Sequence, residues 1–189
     1  MSGHPCAALQ VQAILPAFFE QYSVQQWRYL LWRWFGAVLA SQPYCLLGSP
    51  GQLLGIHAGM LRLITMADAD YQQLGAAQRQ THPALAPTLP HEADRLLMLG
   101  LSRLYQSHHG QVLYLYEAEV QQPHLFFCRL FAARDAAGWR CLLDEWLEIG
   151  LDKMGIADYQ PDLGQLPAAL ELLMGLCEAS WLLHRQQGR

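Results

Sequence analysis

Within nine residues the chain places Trp27, Tyr29, Trp32, Trp34 and Phe35, and this cluster constrains the fold more than any other feature. Ser23 followed by Gln26 is a capping box, and the spacing predicts a helix over Val24–Ala40, ended by Ser41-Gln42-Pro43. Val24, Trp27, Leu31, Trp34, Phe35 and Val38 share one face, while Tyr29, Leu30 and Trp32 make the other faces apolar as well. A helix that is apolar nearly all round has to be central or covered by something.

Composition bears on what could cover it. Hydrophobic residues make up 52% of the 189 residues and charged residues 15%, against roughly 25% charged in an average soluble domain. Such a chain buries apolar surface readily, which excludes disorder, and its length suits one domain, or one with an appended subdomain. Few charges are available for the exterior, so glutamine, present 19 times, must supply much of it. Surplus apolar surface with weak net charge favours association with a partner or a second copy.

The net charge is −4, and the eleven arginines and single lysine, Lys153, are scattered. A nucleic-acid surface is therefore not expected. The stretch Tyr29–Ala40 reads as the most apolar. It contains Arg33 and falls short of the roughly 18–20 apolar residues that a bilayer needs, so no membrane span is expected. No secretory signal is evident near Met1. Cysteines 6, 45, 128, 141 and 177 stand at least 13 residues apart. Neither a zinc knuckle nor a disulfide framework is indicated, and free thiols in a cytoplasmic setting are expected.

Along the chain, Cys6–Tyr22 has helical spacing interrupted by Pro16, which predicts a kink or two short pieces. Ser49, Pro50 and Gln52 open a helix to about Met66, with Asp68 and Asp70 just beyond. Gly75–Pro90 carries one glycine and three prolines and reads as a linker. It divides a front lobe (1–74) from a back lobe (91–189), although one continuous domain remains open. The back lobe begins with a helix over His91–Ser107. Residues 111–132 then alternate on either side of Pro123 and predict a β-hairpin, with two short helices broken at Pro123 as the rival. Asp135 caps a helix to about Met154, and Pro167 starts a last one to about His184. The expected fold is mainly α, five or six helices with one hairpin.

Gly51, Gly55 and Gly59 form a row down the third helix. Two interior glycines cost that helix roughly 2 kcal/mol, so a close approach should compensate. Either an aromatic face of the second helix packs there, or a partner does. His57 lies off that row and is either a tetrapyrrole ligand or a hydrogen-bonded core or rim histidine. Asp144, Glu148 and Asp152 share one face of a later helix, opposite Trp139, Leu142, Leu143 and Trp146. That face is either a solvated acidic surface or a dock for a basic partner segment. Arg140 can pair with Asp144, and Arg28 can stack on Trp32.

No Glu-x-x-His or His-Glu-x-x-His pair exists. Glu117, Glu119 and His124 could converge across the hairpin turn, but no metal or other cofactor is expected. Gly48-Ser49-Pro50-Gly51 lacks the nucleophile frame, and neither a Walker loop nor Gly-x-Gly-x-x-Gly occurs. The tryptophan-rich helical character resembles the cytosolic chaperones that mature molybdenum redox enzymes. Their Glu-Pro-x-Asp-His signature is absent, and the assignment is rejected. The function expected is a non-enzymatic adaptor, chaperone or assembly factor for another polypeptide, with Trp27, Trp32, Trp34, the glycine row and the acidic face as its surface. The alternative is a small-molecule or tetrapyrrole-binding protein or enzyme with a pocket between the lobes.

Overall fold

A computed structural model describes residues 6–39, 48–74, 112–151 and 166–187. Among them are seven helices and no strand. The segments 75–90 and 91–107, expected as linker and helix, lie outside the described residues, as does Asp152.

Helix α1, Cys6–Gln21, continues through Pro16 as one helix rather than as two pieces. Helix α2, Val24–Leu39, starts where the capping box predicts. Gln26 accepts from the Ser23 N–H at 2.8 Å, and Ser23 Oγ accepts from the Gln26 N–H at 3.3 Å. Ser49 Oγ likewise caps α3 by accepting from the Gln52 N–H at 3.1 Å. Helix α3 spans Pro50–Gln73 and so runs past Met66 through Asp68 and Asp70. Packing explains the extra turns: Met66 and Ala67 are buried, and the Tyr71 ring lies 5.1 Å from that of Phe131.

The β-hairpin over 111–132 is not formed. Residues 112–116 run as an irregular strap, bent at Tyr114 and Leu115, followed by α4, Glu117–Gln121, and α5, His124–Ala133. The rival reading of two helices broken at Pro123 describes this second half. Two causes are local. Pro123 stands at the N-cap of α5. The Glu119 carboxylate turns back to accept the Tyr116 N–H at 2.8 Å, which starts a helix where alternation alone suggests a strand. Within α5, Phe126, Phe127 and Leu130 are buried, the spacing of a helix face.

Asp135 then caps α6, Ala136–Leu151, by accepting the Gly138 N–H at 2.7 Å. Helix α7, Leu166–Gln187, fills the centre of the bundle, and from Leu173 to Ser180 every residue is buried. It packs on α2, α5, α1 and α3, while α3 also lies along α6. The buried side chains of both halves of the chain form one continuous cluster.

Helix α7 corrects the expectation that Tyr29–Ala40 is the most apolar stretch. By length and composition it is apolar enough to cross a membrane, yet 67% of its most apolar window is buried inside the bundle. That degree of cover is what a central core helix shows.

Four tryptophans lie wholly inside: Trp27, Trp34, Trp139 and Trp146. Three of them satisfy their indole N–H on a backbone carbonyl, as buried polar groups must. Trp27 donates to Phe18 at 3.2 Å, Trp34 to Trp146 at 3.0 Å and Trp139 to Leu130 at 3.1 Å. Much of the aromatic surplus is thus covered by itself. Trp27 stacks on Phe18 at 4.0 Å, and Trp34 meets Trp146 edge-on at 5.8 Å.

Candidate functional site

Helices α3 and α6 lie antiparallel along one side of the molecule, and two polar bridges fix their register. His57 Nε2 lies 2.8 Å from Asp144 Oδ1, and Arg140 donates to Thr65 Oγ1 at 3.3 Å. Asp144 is therefore partnered by His57, and Arg140 reaches across the seam instead of along its own helix. His57 also meets the Trp34 ring edge-on at 6.2 Å. Its Nε2 thus faces a carboxylate across the α3–α6 seam.

Beyond the His57–Asp144 bridge the two helices carry the outward side chains of this face. Leu54 stands three residues before His57, so it shares that face of α3, and it is 49% exposed. Glu148 and Leu151 follow Asp144 at spacings of four and seven on α6, and Leu151 is 38% exposed. Asp144, Glu145 and Glu148 are all exposed. Two uncovered leucines thus lie among three solvent-facing carboxylates.

The residues expected to form a partner surface divide sharply. Trp27 and Trp34 are sealed in the core. Gly59 is buried as well, and a Cβ there would meet Trp27 at 2.6 Å and Phe18 at 3.2 Å. This end of the glycine row serves packing against the aromatic face of α2. Gly55 has only Gln21 Nε2 nearby, at 3.8 Å, and Gly51 has nothing within 4 Å. Trp32 is half-buried, and Gly51, Asp144 and Glu148 are exposed. Glu117, Glu119 and His124 do not converge: Glu119 is buried against Arg129, while His124 Nδ1 approaches Asp70 at 3.6 Å. Among the described residues no three His, Cys, Asp or Glu side chains gather in a metal-binding group.

The sequence reading missed a second polar cluster, around Glu178 on α7. Arg28 Nη1 donates to Glu178 Oε1 at 2.5 Å, and both side chains are almost fully buried. The same carboxylate accepts the Leu113 N–H at 3.0 Å and the Tyr114 N–H at 2.8 Å. Arg129 holds the strap from its other edge, donating to the Tyr114 carbonyl at 2.8 Å. Glu119 holds Arg129 in turn, at 2.7 and 2.8 Å. The available signal was one carboxylate in an apolar run, Leu172-Leu-Met-Gly-Leu-Cys-Glu-Ala-Ser180. A charge there needs a buried partner.

Burial pushes the Glu178 carboxyl above the usual 4.5, against the pull of the Tyr114 N–H, Arg28 and the Leu113 N–H. Folded Glu178 holds its proton more tightly than unfolded Glu178. Its contribution to stability is complete below pH 4.5 and is lost as pH rises through the folded value. Urea unfolding measured from that pH upward should show stability falling, and Glu178→Gln, which cannot ionise, should remove this part of the slope. An unchanged slope would assign it to other groups. Burial pushes the neighbouring Cys177 thiol up too, the carboxylate adding to the effect. With Met60 Sδ at 3.9 Å, it is an unreactive core thiol.

Compared with protein-family models, with curated proteins and with solved structures, the chain shows no match. Its own residues therefore carry the functional argument.

Proposed function

We propose that this protein is a non-enzymatic adaptor, chaperone or assembly factor that docks a basic, partly apolar segment of another polypeptide on the outer face of α3 and α6. One observation carries the reading: Leu54 and Leu151 stand uncovered beside Asp144, Glu145 and Glu148. Like charges along a helix are mutually unfavourable by a few tenths of a kcal/mol per pair, and a cationic partner relieves that repulsion. Rim carboxylates set encounter rate and specificity, and desolvated leucines add affinity. Gly51 and Gly55 extend the same end of α3 as a low surface over which a partner can pass. Cys128, Cys141 and Cys177 are free thiols, which suits the cytoplasm as the place of action.

Co-purification from the cells that make the protein tests the reading. Wild-type protein should bring down a partner whose contact segment is rich in Lys or Arg. The variant Leu54→Asp/Asp144→Lys/Glu148→Lys, checked for folding by circular dichroism, should bind that partner at least about tenfold more weakly, equivalent to about 1.4 kcal/mol. Raised salt should weaken wild-type binding more than variant binding. Equal capture by both proteins would overturn the proposal.

A further inference from the structure

We infer that Glu178 is an acid-released latch: once its carboxylate takes up a proton, residues 112–113 lift from α7, turning at the bends of Tyr114 and Leu115, while α4 stays in place. Both oxygens of this carboxylate meet only donors among the described residues. Arg28 Nη1 lies on Oε1 at 2.5 Å, the Leu113 N–H reaches both oxygens at 3.1 and 3.0 Å, and the Tyr114 N–H reaches Oε2 at 2.8 Å. An ionised carboxyl accepts from all three, whereas a protonated one carries an O–H donor of its own. That O–H finds no acceptor here, so one of the facing donors has to give way. Arg28 carries its charge in the core, and a buried charge parted from its carboxylate is costlier than a part-buried amide set free. The proton therefore settles on Oε2, and the strap is what moves.

The far end of the strap is anchored separately. Arg129 donates to the Tyr114 carbonyl, and Glu119 accepts the Tyr116 N–H while holding Arg129. The bends at Tyr114 and Leu115 fall between the amides held by Glu178 and the Tyr116 N–H held by Glu119, so the first anchor can open while the second holds. Leu113 is already 38% exposed, and little apolar burial resists its departure. Titratable and charged groups face Glu178 from several elements: Arg28 on α2, Cys177 on α7 itself, and Arg129 with Glu119 across the strap from α5 and α4. Helix α3 brings Met60 against Cys177, and α1 meets α7 through Phe19 on His184. Burial holds the Glu178 carboxyl above its usual range, so the latch is closed above that raised value and opens before pH falls to an ordinary glutamate's. The neutral carboxyl removes the charge that burial disfavours, and the bundle stays folded as the strap opens.

Amide hydrogen exchange over a pH series, expressed as protection against the intrinsic rate at each pH, tests the latch, with the Glu178 carboxyl carbon followed by NMR alongside. As Glu178 takes up its proton, Leu113 and Tyr114 should lose at least about tenfold in protection, while Tyr116 and the α7 amides keep theirs. The Glu178→Gln variant places an N–H2 where the protonated oxygen would stand, and should leave Leu113 and Tyr114 weakly protected at every pH. Adding Arg28→Met lets the glutamine turn its oxygen to the strap, and protection of both amides should return. A purely structural Glu178 predicts no such return. Protection of Leu113 and Tyr114 that stays level through the Glu178 titration, loss of Tyr116 in parallel with them, or a folded double variant no better protected than Glu178→Gln would overturn the inference. So would unfolding of the wild-type protein before Glu178 is protonated. Should Glu178→Gln not fold, the wild-type series decides alone.

Discussion

Replacing Glu178 with leucine is expected to destabilise the fold by about 3–5 kcal/mol, because it strands the Arg28 guanidinium in the core without its carboxylate. Arg28 and Glu178 stand 150 residues apart in sequence, joining α2 to α7. The two helices they connect carry much of the core, including Leu31, Trp34, Leu173 and Leu176. The double variant Arg28→Met/Glu178→Leu should recover most of that loss, since apolar replacement of a whole buried pair is often neutral or stabilising by 1–4 kcal/mol. It should not recover all of it. The Leu113 and Tyr114 N–H groups lose their acceptor in either variant, and a part-buried donor left unpaired costs on the order of 1 kcal/mol. Urea unfolding of wild type, both single variants and the double variant closes the cycle. A Glu178→Leu effect under about 1 kcal/mol would mean that the pair does not hold α2 to α7.

A second large contrast is expected within the glycine row. Gly59→Leu should lower stability by about 3 kcal/mol, the upper part of the range for overpacking. The first added carbon already meets Trp27 at 2.6 Å, and Trp27 is pinned by its stack on Phe18 and its hydrogen bond to the Phe18 carbonyl. Gly55→Leu, one turn earlier, meets only the far end of Gln21 at 3.8 Å. It should be neutral or stabilising by up to about 1 kcal/mol, through the better helix propensity of leucine. Thermal denaturation of the two variants compares them directly, and equal effects would mean that Gly59 is not held against the α2 aromatics. Gly55→Leu also places a new side chain near Leu54, so any change in partner capture maps how far the α3 face extends.

How much of this was legible in the sequence depends on the range of the interaction. The starts of α2, α3 and α6 are written in Ser23 with Gln26, Ser49 with Gln52, and Asp135, each acting over three residues. The extension of α3 to Gln73 was hidden because it rests on Tyr71 meeting Phe131, sixty residues on. Alternation in Gln111–Val120 misled, since 112–116 are irregular with bends at Tyr114 and Leu115 and Glu117–Gln121 is helical, and alternation cannot say what satisfies a backbone. Here it is Glu178, more than sixty residues away, where a hairpin would have used residues beyond Pro123. Reading the aromatic cluster as needing a cover was sound physics, but most of the cover comes from α1, α6 and α7. The surface candidates fared unevenly for the same reason: spacing places Asp144 and Glu148 on one face, while only tertiary packing decides that Trp27, Trp34 and Gly59 turn inward.

The central position of α7 has a consequence for synthesis on the ribosome. Helix α7, whose Cys177 meets Met60 and whose Glu178 meets Arg28, is translated after the other six described here. Until residues 166–187 emerge, Arg28 has no Glu178 to pair with, and the faces of α1, α2, α3 and α5 that pack on α7 stay uncovered. Translation at roughly 5–20 residues per second leaves that exposure lasting for seconds, long enough for a holding factor to engage the nascent chain before its final helix arrives.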